Sequence, residues 1–295
     1  MKISIILPTY NRAGHYLSRA IESVITQSYK DWELIIIDNN SKDGTQELVE
    51  SYKNEKIHFY TINNDGNIAK SRNLGISKAS GTYIAFLDSD DYWFKSKLEI
   101  CMTSLYKNKN YQCICHSENW VYPDNKSITK DYGPENNYSF KKLLMRGNCI
   151  SLSATMVKKS ILTEVDYFSE NDELITAEDY DLWIKISKNY NFLFINDVLG
   201  AFCLHNDSES ANILRNSEAV LNVIRSHVSN NDFFLKRAIS NALKNKGKQF
   251  YINNKRSEAC MAYFASINDF KSFVIAILLI LILLIPYKFI SRMTG

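Results

Sequence analysis

Apolar runs of strand length alternate with helix-patterned segments over the first part of this chain, and that alternation limits the possible folds more than any other feature. Ile3-Ser4-Ile5-Ile6-Leu7, Trp32 to Ile37, Ile57-His58-Phe59-Tyr60 and Tyr83-Ile84-Ala85-Phe86-Leu87 have the composition of strands. Between the first two, Leu17, Ala20, Ile21, Val24 and Ile25 recur at helical spacing. Leu48, Val49 and Tyr52 mark a second helix, and a third opens at Asn67 with Ala69, Arg72, Asn73, Leu74 and Gly75. Strands that are apolar throughout are buried on both faces, which predicts an α/β fold with a mostly parallel central sheet flanked by helices. Ligands of such sheets bind beyond the carboxyl ends of the strands. Polar residues gather there: Pro8-Thr9-Tyr10-Asn11-Arg12, Asp38-Asn39-Asn40, and Asp88-Ser89-Asp90-Asp91.

The last of these groups carries the most chemistry. Three carboxylates within four residues of a buried strand end repel one another and are costly to desolvate. Hard oxygen donors in that position suit Mg²⁺ or Mn²⁺ together with a phosphate-bearing substrate. The other reading is a solvated acidic turn that caps the helix at Lys95-Ser96-Lys97-Leu98. Neither G-x-G-x-x-G after the first strand nor G-x-x-x-x-G-K-[ST] occurs, so dinucleotide and P-loop sites lose their key feature. An anion can still meet the helix start near Asn67 with help from Lys70 and Arg72, unless both are ordinary surface charges.

At 295 residues, 45% hydrophobic and 23% charged, the chain holds one large globular domain or a domain with an appendage. A net charge of +3 without any Lys/Arg-dense run argues against nucleic acid as a partner. Six cysteines without C-x-x-C spacing are expected to be packing thiols. The apolar run before Pro8 is too short for a signal peptide, which puts the expected catalytic part inside the cell. Further along, Tyr111 to Cys115 and Asn119 to Tyr122 have strand character and Phe140 to Arg146 is helical; residues 147–157 form a loop entering a strand. Ala177-Glu178-Asp179 begins an amphipathic helix, where acids either complement the helix dipole or do chemistry. His205 lies in a polar loop and is either structural or a ligand.

Residues 216–269 carry helical periodicity and are expected to form a helical appendage; residues 270–295 read as an apolar membrane-anchoring segment. As a helix, the uncharged run between Lys271 and Lys288 would measure about 24 Å, short of a hydrocarbon core of about 30 Å. Basic residues flank it on both sides, Lys271 before and Lys288 and Arg292 after. A re-entrant or in-plane anchor is therefore expected, with a single C-terminal span or a buried helix as alternatives.

Taken in order, five motifs resemble the family-2 glycosyltransferases of the bacterial surface-polysaccharide type, which have the GT-A fold. They are Ile5 to Asn11, Ile36 to Thr45, Gly66 to Gly75, Phe86 to Asp91, and Glu178-Asp179. The resemblance covers about residues 1–210, and residues 1–215 are expected to form the catalytic domain. It implies an inverting enzyme that moves a sugar from a nucleotide-diphosphate sugar, with UDP the expected nucleotide. The acceptor would be a hydroxyl of a lipid-linked oligosaccharide, a growing polyprenyl-diphosphate glycan of O-antigen, capsule or exopolysaccharide synthesis. Such an enzyme works at the cytoplasmic face of the bacterial inner membrane. By the same resemblance Pro8, Thr9, Tyr10, Asn11, Arg12, Asp38, Asn40, Asn67, Arg72, Asp88 and Ser89 would bind the nucleotide sugar. Asp90, in the D-x-D element, and His205 would hold Mn²⁺ or Mg²⁺; Asp179 would be the general base and Glu178 would orient it. A sugar-phosphate nucleotidyltransferase would instead open on a Gly-rich loop. A non-catalytic sugar- or nucleotide-binding scaffold would not need both the D-x-D and the Glu178-Asp179 pair.

Overall fold

The structure is a computed structural model that describes residues 1–133, 140–205, 213–228 and 233–283. The chain begins β1 (Ile3–Thr9), α1 (His15–Ile25), β2 (Trp32–Asp38), α2 (Thr45–Ser51), β3 (Ile57–Thr61), α3 (Ile68–Lys78) and β4 (Tyr83–Phe86). It continues through β5 (Tyr92–Trp93), α4 (Lys97–Lys107), β6 (Cys113–Val121), β7 (Ser127–Lys130), α5 (Phe140–Arg146), β8 (Thr155–Lys158) and α6 (Lys159–Glu164). Then come α7 (Glu178–Ser187), β9 (Phe192–Cys203), α8 (Ile213–His227), α9 (Phe233–Ile252), α10 (Arg256–Ala265) and α11 (Phe270–Ile282). Two compact units result. The first gathers Met1–Phe140, Cys149–Asp172 and Asp181–Ser208; the second gathers Lys141–Asn148, Glu173–Tyr180 and Glu209–Gly295.

The first unit is built on a sheet with the order β3-β2-β1-β4-β8-β6-β9-β5, with β7 paired to β6. Its β3-β2-β1-β4 half is parallel throughout, as the continuous apolar strands require. The other half corrects the expectation of a mostly parallel sheet. There β8 runs antiparallel to both β4 and β6, β5 runs antiparallel to β9, and only the β6–β9 pair is parallel. The sheet is mixed. A short turn after Val121 returns the chain as β7 antiparallel to β6, because a parallel return needs a long crossover. The two strands expected around residues 111–122 are one strand, β6, interrupted by register shifts on either side of Ser117.

Apolar residues of β1 and β2 (Ile3, Ile5, Leu7, Leu34, Ile36) pack in one cluster with Leu17, Ala20, Ile21 and Val24 of α1 and with Leu98, Cys101 and Leu105 of α4. On the other face α3 lies close against the sheet because residue 75 is glycine. A Cβ there would come 2.6 Å from Ile6 Cγ2 and 3.4 Å from Ile37 Cγ1. All six cysteines are free thiols, as their spacing predicts.

The second unit has its own small core: Phe250 and Tyr251 of α9, Ala259, Ala262 and Tyr263 of α10, and Ala276 and Leu283 from α11 and its end. α11 starts with a capping box in which Asp269 and Ser272 exchange hydrogen bonds. It has 13 residues, about 20 Å of helix. No described helix is long and apolar enough to cross a membrane, so the alternative of a C-terminal span is not supported. One face of α11 is taken up by the core, while Phe273, Val274, Leu278 and Leu281 are exposed. The rest of the expected apolar segment, from residue 284 on, with Lys288 and Arg292, lies outside the described residues.

Candidate active site

The parallel register pairs Pro8 with Ile37 and Thr9 with Asp38, so the loops after β1 and β2 leave the sheet side by side. Side-chain hydrogen bonds stitch them together. Asp38 is buried; its Oδ2 accepts the Ser41 N–H at 2.9 Å and its Oδ1 accepts the Ser41 hydroxyl. Ser41 Oγ in turn accepts the Asn11 N–H at 2.7 Å, and Asn11 Oδ1 accepts the Lys42 N–H at 2.9 Å. Asn11 and Asn40 both adopt left-handed backbone (φ 47 and 54), which asparagine tolerates better than most residues. Thr9 is buried at the strand end, while Tyr10 and Asn40 are exposed.

α3 brings Arg72 to the same end of the sheet. Its guanidinium lies 2.9 Å from Asp88 Oδ1 and 5.5 Å from the centre of the Phe168 ring. Both Arg72 and Ser89 are buried. Asn67 caps α3: its Oδ1 accepts the Ala69 N–H, and its amide donates to the Glu170 carbonyl at 2.9 Å and to Asp172 Oδ1 at 3.0 Å. Those bonds commit the Asn67 side chain to the fold around the site.

Two residues beyond Asp88, Asp90 Oδ2 lies 2.5 Å from His205 Nε2 and 3.7 Å from Arg12 Nη2. Arg19 Nη2 donates to the Asp90 carbonyl at 2.7 Å. The Arg19 guanidinium also stacks 4.4 Å over the Tyr92 ring. Asp91, read from sequence as a possible solvated cap, is instead buried. Its oxygens accept the Ser153 hydroxyl at 2.6 Å and the Cys203 N–H at 2.9 Å. Burial, reinforced by Asp90, Glu118 and Asp88, pushes the Asp91 carboxyl up. Burial likewise raises Glu118 of β6 to about 7, against hydrogen bonds from Ser151 and Tyr132, and lowers Lys97 to about 8. The Lys97 ammonium sits 3.5 Å over the Trp93 ring.

Glu178 and Asp179 belong to the second unit. They open α7, where Glu178 is buried and Asp179 half-buried. Asp179 Oδ2 accepts the Asn148 amide at 2.9 Å, and its Oδ1 accepts the Tyr180 N–H at 2.7 Å. Tyr180, fully buried, anchors this turn by donating to the Leu143 carbonyl at 2.9 Å.

Among the described residues no cluster of three or more His, Cys, Asp or Glu converges as a metal site. The Asp90–His205 pair nonetheless offers a carboxylate oxygen and an imidazole nitrogen, a donor set that fits a divalent cation completed by substrate oxygens. Sequence reasoning missed Ser41, Arg19, Ser153 and Glu118. Ser41 stands inside a motif already singled out, whereas Ser153 and Glu118 have no local signal, since their partners are far away in the chain.

A parallel half-sheet with an Asp-anchored loop pair and an Arg–Asp pair at its strand ends, continued by a mixed half whose β9 leads to His205 beside Asp90, has the GT-A fold. The chain belongs to Glycosyl transferase family 2, whose family model matches residues 4–162, and is a glycosyltransferase of the bacterial surface-polysaccharide type. It is 31% identical over 237 residues to the UDP-Glc:alpha-D-GlcNAc-diphosphoundecaprenol beta-1,3-glucosyltransferase WfgD of Escherichia coli, covering 77% of this chain and 87% of that one. S. aureus TarS 1-349 in complex with UDP-GlcNAc shares the fold, with a TM-score of 0.67 at 17% identity over 90% of this chain and 80% of that one. So does the mannosyltransferase PcManGT of Pyrobaculum calidifontis in complex with GDP-Man and Mn²⁺, with a TM-score of 0.64 at 16% identity over 99% and 83%.

Proposed function

We propose that this enzyme transfers a hexosyl or N-acetylhexosaminyl group, with inversion, from a UDP-sugar to a hydroxyl of a polyprenyl-diphosphate-linked glycan. The observation that carries the donor side is the pairing of Asp90 with His205 beside the Asp88–Arg72 pair, all at the carboxyl end of the sheet. UDP is favoured because WfgD acts on UDP-Glc and TarS was crystallised with UDP-GlcNAc. In this reading Pro8, Thr9, Tyr10 and Asn11 form the wall of the nucleoside pocket, and Asp38 accepts hydrogen bonds from base or ribose. Asp88 and Ser89 contact ribose or sugar, and Arg72 and Arg12 face the diphosphate.

Asp90 and His205 would hold Mn²⁺ or Mg²⁺. Bound there, the cation supplies neutralisation of the charge that develops on the leaving diphosphate. Asp179 accepts the proton of the attacking acceptor hydroxyl and Glu178 orients it. Such general-base assistance is typically worth about 10²–10⁴-fold. A single displacement needs no covalent nucleophile on the enzyme and turns an α-linked donor into a β-linked product. A lipid-linked acceptor is supported by WfgD, which acts on a GlcNAc-diphosphoundecaprenol. The exposed apolar face of α11 would lie in the plane of the cytoplasmic membrane surface, where such an acceptor is displayed.

Thermal unfolding with UDP, GDP and other nucleoside diphosphates, each with and without Mn²⁺, tests the donor side. A ligand that binds only the folded state stabilises it by about 2.7 kcal/mol at a hundredfold excess over Kd. A Mn²⁺-dependent upward shift with UDP is expected. The absence of any shift on folded protein would overturn the reading.

A further inference from the structure

Asp91 has no part in the scheme above, yet it is buried, whereas Asp88 and Asp90 are only half-buried. Each of its two oxygens receives a hydrogen bond from a different distant segment. Ser153, just ahead of β8, donates through its hydroxyl at 2.6 Å; Cys203, the last residue of β9, donates through its N–H at 2.9 Å. Ser153 holds the acidic turn at two further points. Its Oγ accepts the Asp88 N–H at 3.2 Å and its carbonyl accepts the Trp93 indole N–H at 2.8 Å.

The Cys203 bond matters because His205 stands two residues further on. Asp91 follows Asp90 and bonds the strand end that delivers His205 to Asp90. Arg19 spans the same two segments, reaching the Asp90 carbonyl at 2.7 Å and Cys203 Sγ at 3.0 Å. The two bonds go to separate oxygens of one side chain, Oδ2 for Ser153 and Oδ1 for Cys203. An amide of the same shape has one acceptor oxygen and could not accept both bonds in place.

We propose that Asp91 is a positioning residue: by clasping Ser153 and the end of β9 it fixes His205 against Asp90, so that the pair meets a divalent cation ready-made. This rests on the assignment of Asp90 and His205 as metal ligands. Residues that hold metal ligands in place typically contribute about 10–100-fold to affinity.

The test is Mn²⁺ binding to the full chain with UDP present, followed by electron paramagnetic resonance, for Asp91→Asn, Ser153→Ala, His205→Ala and the Asp91→Asn/His205→Ala double variant. Folding is checked by near-UV circular dichroism, and metal-free UDP affinity by calorimetry. Mn²⁺ affinity should fall at least about tenfold in Asp91→Asn and in Ser153→Ala, with metal-free UDP affinity unchanged. In the His205→Ala background Asp91→Asn should cause no further loss, because the residue it acts through is gone. An equal loss in both backgrounds would mean general loosening and would overturn the inference. Undiminished Mn²⁺ affinity in folded Asp91→Asn and Ser153→Ala would overturn it too. Should Asp91→Asn not fold, Ser153→Ala alone and with His205→Ala carries the same comparison. Failure of the unaltered chain to bind Mn²⁺ would instead overturn the metal assignment and this inference with it, an outcome distinguishable from the other two.

Discussion

Asp90 carries three contacts, each from a nitrogen of a basic side chain. Its carboxylate meets His205 and Arg12, and its carbonyl receives Arg19. Because its side chain is partly exposed, Asp90→Asn should leave the fold intact while removing the negative charge that a cation needs. Turnover should drop at least about 10²-fold, the scale of losing one stabiliser of developing charge. A steady-state assay with UDP-sugar and Mn²⁺ checks this, and undiminished turnover would remove Asp90 from the site. Glu118 offers a pH test at the same scale. Its ordinary value is 4.5 and the fold raises it to about 7, chiefly by burial, so the folded chain holds this proton more tightly than the unfolded chain. The stability it contributes is complete below about pH 4.5 and is lost as the pH rises through about 7. Lys97, lowered from 10.5 to about 8, adds its slope only above that window. Glu118→Gln, which cannot ionise, should therefore gain stability relative to the unaltered chain between about pH 5 and pH 8. Urea unfolding across that range reads the difference, and a flat difference would place the Glu118 proton elsewhere.

At the scale of elements, α3 couples packing to the site. Gly75 lets the helix lie on Ile6 and Ile37, and Arg72 stands one turn earlier on the same helix. Gly75→Ala would force a methyl to within 2.6 Å of Ile6 Cγ2; overpacking of this kind costs about 1–3 kcal/mol. It should also shift Arg72 from Asp88, so UDP affinity should weaken along with stability. Urea midpoints and UDP calorimetry on the same variant separate the two effects, and an unchanged UDP affinity would uncouple Arg72 from the packing of α3. The strands themselves were legible from apolar runs, and their polar ends pointed to the site, because buried parallel strands leave no other place for Asp38, Asp88 and Asp90. Strand direction was not legible. Nothing in Thr155-Met156-Val157 tells that β8 enters antiparallel between β4 and β6. β6 reads as two strands because polar His116-Ser117-Glu118 interrupts its apolar pattern, and the register shifts lie there. Ser153 carries no signal in its own neighbourhood: its hydroxyl answers a carboxylate 62 residues away, and periodicity holds no such information.

For the whole molecule, the two units divide the proposed labour. The first carries the donor-side residues; the second carries Glu178 and Asp179 and the helices that end in α11. Asp179→Asn should therefore spare UDP binding and lower kcat by about 10²–10⁴-fold; an unchanged kcat would sink its assignment as base. The same unit presents the apolar face of α11, whose Val274, Leu278 and Leu281 are exposed at helical spacing while Ala276 and Leu283 are packed inside. From residue 270 onward the sequence has Lys271, Lys288 and Arg292 and no acidic residue, a balance that favours anionic lipid headgroups. Deleting α11 would confuse membrane release with loss of the core around Tyr251 and Tyr263. Val274→Glu with Leu278→Glu avoids this, since both side chains already face solvent and the packed face is untouched. The unaltered chain should sediment with vesicles of phosphatidylglycerol and phosphatidylethanolamine at low salt, and the double variant should stay in the supernatant with an unchanged unfolding midpoint. Equal sedimentation of the two would show that this face does not hold the protein to the bilayer, and the lipid-linked acceptor would then have to be reached by some other surface.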